Sequence, residues 1–118
     1  MHDKGLKPVT DFATFTALDI RIGTVVEAMP FPEARNPSYL LLINFGGEIG
    51  IKRSSAQITT VYSCDDLVGS QIVAIVNFPA KRIASFESEV LVLGVGNSQG
   101  DVVLLQPERC VPDGTAVY

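Results

Sequence analysis

The chain has 118 residues, 47% hydrophobic and 19% charged, with a net charge of −4. That length suits one domain, and the acidic balance excludes a general polyanion binder unless a local basic patch exists. So few charges on so apolar a chain predict that part of its surface is covered by a second subunit.

The opening "MHDKGLKPVT" lacks the apolar core of a signal peptide. No uncharged apolar run approaches the roughly 20 residues that span a membrane, so no membrane insertion is expected. Cys64 and Cys110 form no CxxC pair and read as free, buried thiols, which predicts a cytosolic protein. His2 is the only histidine, so the body has no imidazole for a catalytic triad, a Cys–His pair or a metal ligand. Neither an enzyme nor a cofactor is expected. Asp65-Asp66 read as the start of a helical turn, and Glu87 and Glu89 as one surface face of a strand rather than a catalytic pair.

In chain order, "TDFATFTALD" predicts a short helix capped by Thr10 or Asp11, with Phe12 and Phe15 on one face. "IRIGTVVEA" (20–28) is β-branched and partly alternating, a strand with Gly23 as a bulge or bend. Pro30, Pro32 and Pro37 make 29–38 a loop. "YLLLINF" (39–45) and "EIGIKR" (48–53) flank Gly46-Gly47 and predict a hairpin with a tight primed turn. Leu40 and Leu42 share the strand face opposite Tyr39, Leu41, Ile43 and Phe45, so both faces need cover. Ser54 to Gln57 fits a capping box and predicts a short helix. "SCDDLVG" (63–69) reads as a further turn closed by Gly69. "SQIVAIVNF" (70–78) is a buried strand, 79–88 a connecting loop, and 89–94 and 101–106 two more strands, with "PDGTA" a turn before a short terminal strand. "GVGNSQG" (94–100) has the wrong glycine spacing for a dinucleotide site and leads into a strand, so it reads as a hairpin loop.

Five main strands with a helix between the third and fourth predict an all-β OB-fold, a small Greek-key barrel with short helices and extended C-terminal strands. Ligands of such barrels meet strands 2–3 and the loops expected here at 29–38 and 79–88. Arg35, Lys52, Arg53, Lys81 and Arg82 lie on or beside those places, against Glu48, Asp65 and Asp66 in the same stretch. Ser54 and Ser55 add hydroxyls, and cations with hydroxyls are what phosphate or peptide carbonyls meet. Phe31, Phe78 and Phe86 offer stacking for bases, or together with Ile83 line a groove for apolar peptide side chains. Sequence leaves both open.

"DIRIGTVVEAMPFPEARNP", "EIGIKRSSAQIT", "LVGSQIVAIVNFPAKRIASFESEVLVLG" and "GDVVLLQP" resemble the CsaA group of protein-secretion chaperones, within the wider family of tRNA-binding domains appended to some aminoacyl-tRNA synthetases. The resemblance runs from about Asp11 to Val117. It implies a cytosolic OB-fold homodimer without a cofactor, binding unfolded preproteins and cooperating with SecA. The wider family carries a segment like N-x-x-P-R-K-I-x-G-x-x-S-x-G-M. Asn77, Lys81-Arg82-Ile83 and Ser88 match its frame, whereas Ser85 stands for the glycine and Val90-Leu91 for Gly-Met. These departures weigh against tRNA and towards a peptide groove. Residues 1–9 fall outside the resemblance and are expected to be a flexible or added tail, able to dock in a neighbouring chain, with 10–118 as the single domain. Leu40, Leu42 and the strand after Asp101 are the expected subunit contacts.

Overall fold

A computed structural model describes residues 5–118; His2 and the first part of the expected tail lie outside the described residues. Helix α1 (Phe12–Thr16) starts at Asp11, whose carboxylate accepts hydrogen bonds from the Thr14 backbone N–H at 3.0 Å and its hydroxyl at 2.8 Å. Asp11 is therefore the cap, and the Phe12 and Phe15 rings meet at 5.9 Å as the spacing predicts.

Strand β1 (Ile20–Pro30) is longer than expected and runs into the proline loop. Its bulge lies between Val25 and Glu27, not at Gly23. Gly23 serves packing instead: a Cβ there would sit 2.7 Å from Ile43 Cγ2 and 2.8 Å from the Phe45 ring. Strands β2 (Tyr39–Asn44) and β3 (Ile51–Ala56) pair antiparallel, from Tyr39 opposite Ala56 to Asn44 opposite Ile51. The two-residue Gly46-Gly47 turn is not found. The connection covers 45–50, where the Phe45 N–H donates to Gly50 O and the Gly50 N–H to Gly46 O, each at 2.9 Å. Gly46, Gly47 and Gly50 all take positive φ, which lets this wider loop form.

The longer loop moves β3 downstream, so Ser54 and Ser55 lie within the strand and no helix begins at Ser54. Ser54 sits opposite Leu41, is buried, and donates its hydroxyl to Val90 O at 3.1 Å. The true capping box is Ser63–Asp66, opening α2 (Cys64–Leu67). The Asp66 N–H donates to Ser63 Oγ at 3.2 Å, and the Ser63 N–H returns to Asp66 Oδ2 at 3.1 Å. Gly69, at φ 91°, closes the turn as expected.

Strand β4 (Gln71–Ile75) stops short of 78 because Asn77 is used elsewhere: its side chain bonds Asp19 N–H and Ala17 O, both at 2.9 Å. The expected loop at 79–88 is a hairpin, β5 (Lys81–Ile83) and β6 (Phe86–Ser88), turning through Ala84-Ser85. Strand β7 (Leu91–Val92) follows, then β8 (Gly94–Gly96) and β9 (Val102–Leu104). The loop between β8 and β9 is the hairpin read from the sequence. Asn97 Oδ1 closes it by accepting from the Gln99 and Asp101 N–H groups, both at 2.9 Å.

The main sheet runs β3-β2-β1-β4-β7. Its two edges meet where the Glu89 N–H donates to Arg53 O at 2.8 Å and the Ser55 N–H to Ser88 Oγ at 3.0 Å. The result is a nearly closed five-stranded antiparallel barrel, an OB-fold, filled by Val25, Leu41, Ile43, Phe45, Ile72 and Leu67. The C-terminal segment covers β1 where β2 has ended: the Ile22 N–H donates to Thr115 O at 3.0 Å and the Val117 N–H to Ile20 O at 2.8 Å.

Candidate binding cleft

A cleft of ≈ 620 Å³ opens beside the seam between β3 and β7. One wall is the β1–β2 loop, which presents Arg35. Its fold follows from Phe31, a buried ring whose N–H donates to Ser38 O at 3.1 Å and whose carbonyl accepts from the Ala34 N–H at 3.2 Å. The opposite wall is β5, which presents Lys81, Arg82 and Ile83. Ser55 and Gln57 come from the end of β3, and Leu91, Val92, Val102 and Leu104 complete the apolar lining.

Arg35, Lys81 and Arg82 are exposed, and none forms an ion pair with a described residue. Arg21, by contrast, sits 2.6 Å from Asp19, and that contact raises its already high pKa. Three cations not committed to protein carboxylates give an acidic chain a local basic mouth.

The two walls are fastened by aromatic contacts. The Phe31 and Phe86 rings lie 5.5 Å apart at 58°, and the Arg53 guanidinium stands 5.4 Å from the Phe86 centroid. This corrects the expected use of Phe31 as an open stacking surface: it is buried, and Phe86 is half-buried against it. Arg53 is also held: its guanidinium lies 3.6 Å from Glu89, and its main-chain N–H donates to the same carboxylate at 2.9 Å. It flanks the cleft rather than lining it.

Of the other expected residues, Ile83 and Ser55 line the cleft. Ser54 does not, because its hydroxyl is spent inside the barrel. Ser88 is half-buried and braces Ser55. Lys52 alternates to the strand face opposite Arg53 and lies off the cleft. Phe78 is exposed on the connection to β5, outside the lining. Leu40 and Leu42 are half-buried on the outer face of β2, opposite Ser55 and Arg53. The contributions of Val102 and Leu104 were not foreseen; the alternation in "DVVLLQ" signals a strand but not where it folds back.

Among the described residues no cluster of three His, Cys, Asp or Glu could hold a metal ion, and no helix is long and apolar enough to cross a membrane. Both cysteines are free, but neither is buried: Cys64 opens α2 at the surface and is half-exposed, and Cys110 is exposed in the terminal segment.

An OB barrel with a basic, apolar-lined cleft defines a small binding module. The family described as "Putative tRNA binding domain" matches residues 20–116. The crystal structure of chaperone CsaA from Bacillus anthracis is 56% identical, with a TM-score of 0.88, over 94% of this chain and 100% of that one. CsaA from Picrophilus torridus is 46% identical, with a TM-score of 0.87, over 93% and 100%. Methionine–tRNA ligase of Methanothrix thermoacetophila is 37% identical over 94% of this chain, which spans 16% of that enzyme. The chain belongs to the tRNA-binding domain family, in its CsaA branch.

Proposed function

We propose that this chain is a homodimeric chaperone for protein export, holding unfolded preproteins in the cleft and delivering them to SecA in the cytosol. The observation that carries this reading is the cleft's pairing of apolar walls with exposed cations. Apolar client side chains gain by leaving water against Ile83, Leu91 and Val92. Arg35, Lys81 and Arg82 attract acidic groups and carbonyl oxygens. The event is reversible burial, with no bond made or broken. The CsaA chaperones at 46% and 56% identity support it, and the free thiols suit a reducing compartment. Val95 and Leu105 are exposed apolar side chains. With Leu40 and Leu42 they are the surface proposed to bury against a second copy.

A second reading is a tRNA-binding module on the same face, favoured by the family match and by three cations without ion pairs. One salt titration, run on an unfolded preprotein and on a tRNA, separates them. Three phosphate contacts give a slope of about −2 in log affinity against log salt, roughly a 20-fold loss between 50 and 200 mM. Preprotein binding dominated by apolar burial changes little over that range and carries a negative heat-capacity change. Tight, salt-steep tRNA binding with no measurable preprotein binding overturns the chaperone reading. Lys81→Ala and Arg82→Ala weaken tRNA in that case without changing the unfolding midpoint.

A further inference from the structure

The cleft lies between strand edges whose main-chain groups have no main-chain partner. In an antiparallel pair, alternate residues turn their N–H and C=O away from the partner strand. The Ser55 N–H goes to Ser88 Oγ, so Ser55 faces away from β2, and by the same alternation so does Gln57. The Ser55 carbonyl and the Gln57 N–H bond no described residue. In the β5–β6 hairpin, Ile83 and Phe86 flank the two-residue turn and form its hydrogen-bonded pair. Arg82 therefore turns both main-chain groups to the outer edge of β5. The Leu93 N–H donates to Val73 O at 2.9 Å, which likewise leaves Val92 facing away from β4. Ser55, Gln57, Arg82 and Val92 all line the cleft.

We infer that the cleft receives an extended polypeptide as an added β-strand, bonded through its main chain to these edges. The inference rests on the chaperone reading of the same site and specifies how the client is held. A ligand strand brings alternating N–H and C=O groups that match open edges, and its side chains alternate between the apolar lining and solvent. Charge selects the occupant: with Arg35, Lys81 and Arg82 around the cleft, segments bearing an Asp or Glu are preferred to basic ones. Main-chain bonding is indifferent to client sequence. A nucleic-acid backbone has no N–H groups to offer a carbonyl edge.

The test uses the full chain and two fluorescein-labelled peptides of about eight residues, alternating valine with serine and carrying one glutamate. They are identical except that one is N-methylated at every second amide. Fluorescence anisotropy is expected to show the methylated peptide at least about tenfold weaker, since several main-chain bonds are lost together. Amide exchange at Gln57, Arg82 and Val92 is expected to slow only with the unmodified peptide. Equal affinities overturn the added strand and leave the chaperone reading standing. Binding of neither peptide, with an unfolded preprotein also unbound, overturns both. A Gln57→Pro variant removes one edge N–H at a position that pairs with no other strand. It is expected to bind the unmodified peptide more weakly than Gln57→Ala, and equal binding by the two variants counts against the inference.

Discussion

Ala84 holds φ at +54°, the one residue other than glycine with positive φ among those described. It is the first of the two turn residues between β5 and β6, a place where glycine costs no steric penalty. A side chain in this region costs about 1–2 kcal/mol, and glycine returns part of the gain as unfolded-state entropy. Ala84→Gly should therefore stabilise the chain by about 0.5–1 kcal/mol, read as a higher urea midpoint with an unchanged slope. Gly23 carries the opposite expectation. Its missing Cβ leaves room for Ile43 and Phe45, and neither can withdraw from a filled barrel. Gly23→Ala should destabilise by about 1–3 kcal/mol in the same measurement.

Both helices are one turn or little more, and side-chain caps hold their starts. The Asp11 carboxylate is kept below its ordinary pKa chiefly by the Thr14 hydroxyl, and Asp66 chiefly by the Ser63 backbone N–H. A carboxylate with a depressed folded pKa contributes stability that is fully present above its unfolded value, near 3.9, and lost as pH falls through the lower folded value. The chain should lose thermal stability progressively below about pH 4, and the double variant Asp11→Asn, Asp66→Asn should lose less over the same interval. Protonation-independent melting of the parent would contradict the caps. The Asp11 start, the turn at 63–69 and most strand positions were legible, because caps, glycines and β-branched runs act locally. The errors came where a distant partner decides. Ser54–Gln57 reads as a capping box as clearly as Ser63–Asp66 does, but Val90, thirty-six residues away, claims the Ser54 hydroxyl. The β5–β6 hairpin was hidden because Ala84-Ser85 lacks the glycine that announces such a turn.

Assembly of the cleft follows from barrel closure, which brings Arg35 and the Lys81-Arg82 pair to one place from stretches far apart in the chain. The loops at 29–38 and 79–88 were foreseen as its two sides. Arg53, Phe31 and Phe86 were expected to bind the ligand directly, not to serve as the cleft's fastening. That role depends on a ring-to-ring contact at 5.5 Å that no spacing encodes. Phe86→Ala should open this fastening, weakening peptide binding and lowering the urea midpoint together. Leu105→Asp places a charge among the exposed apolar side chains proposed to meet a second copy. It should shift sedimentation from dimer to monomer while leaving the circular dichroism unchanged, and a monomeric parent would remove the basis of that expectation.

The C-terminal segment lies along β1 and is locked there by the Arg21 side chain donating to Gly114 O at 2.9 Å, a contact between residues 93 positions apart. Thr24 and Asp113 repeat the lock at 2.6 Å. The stretch Ile20–Ile22 thus has one flank that stays bare until a segment from far along the chain arrives to cover it. Proteolytic clipping after Pro112 would free that flank again, leaving an open sticky border on which other chains could stack.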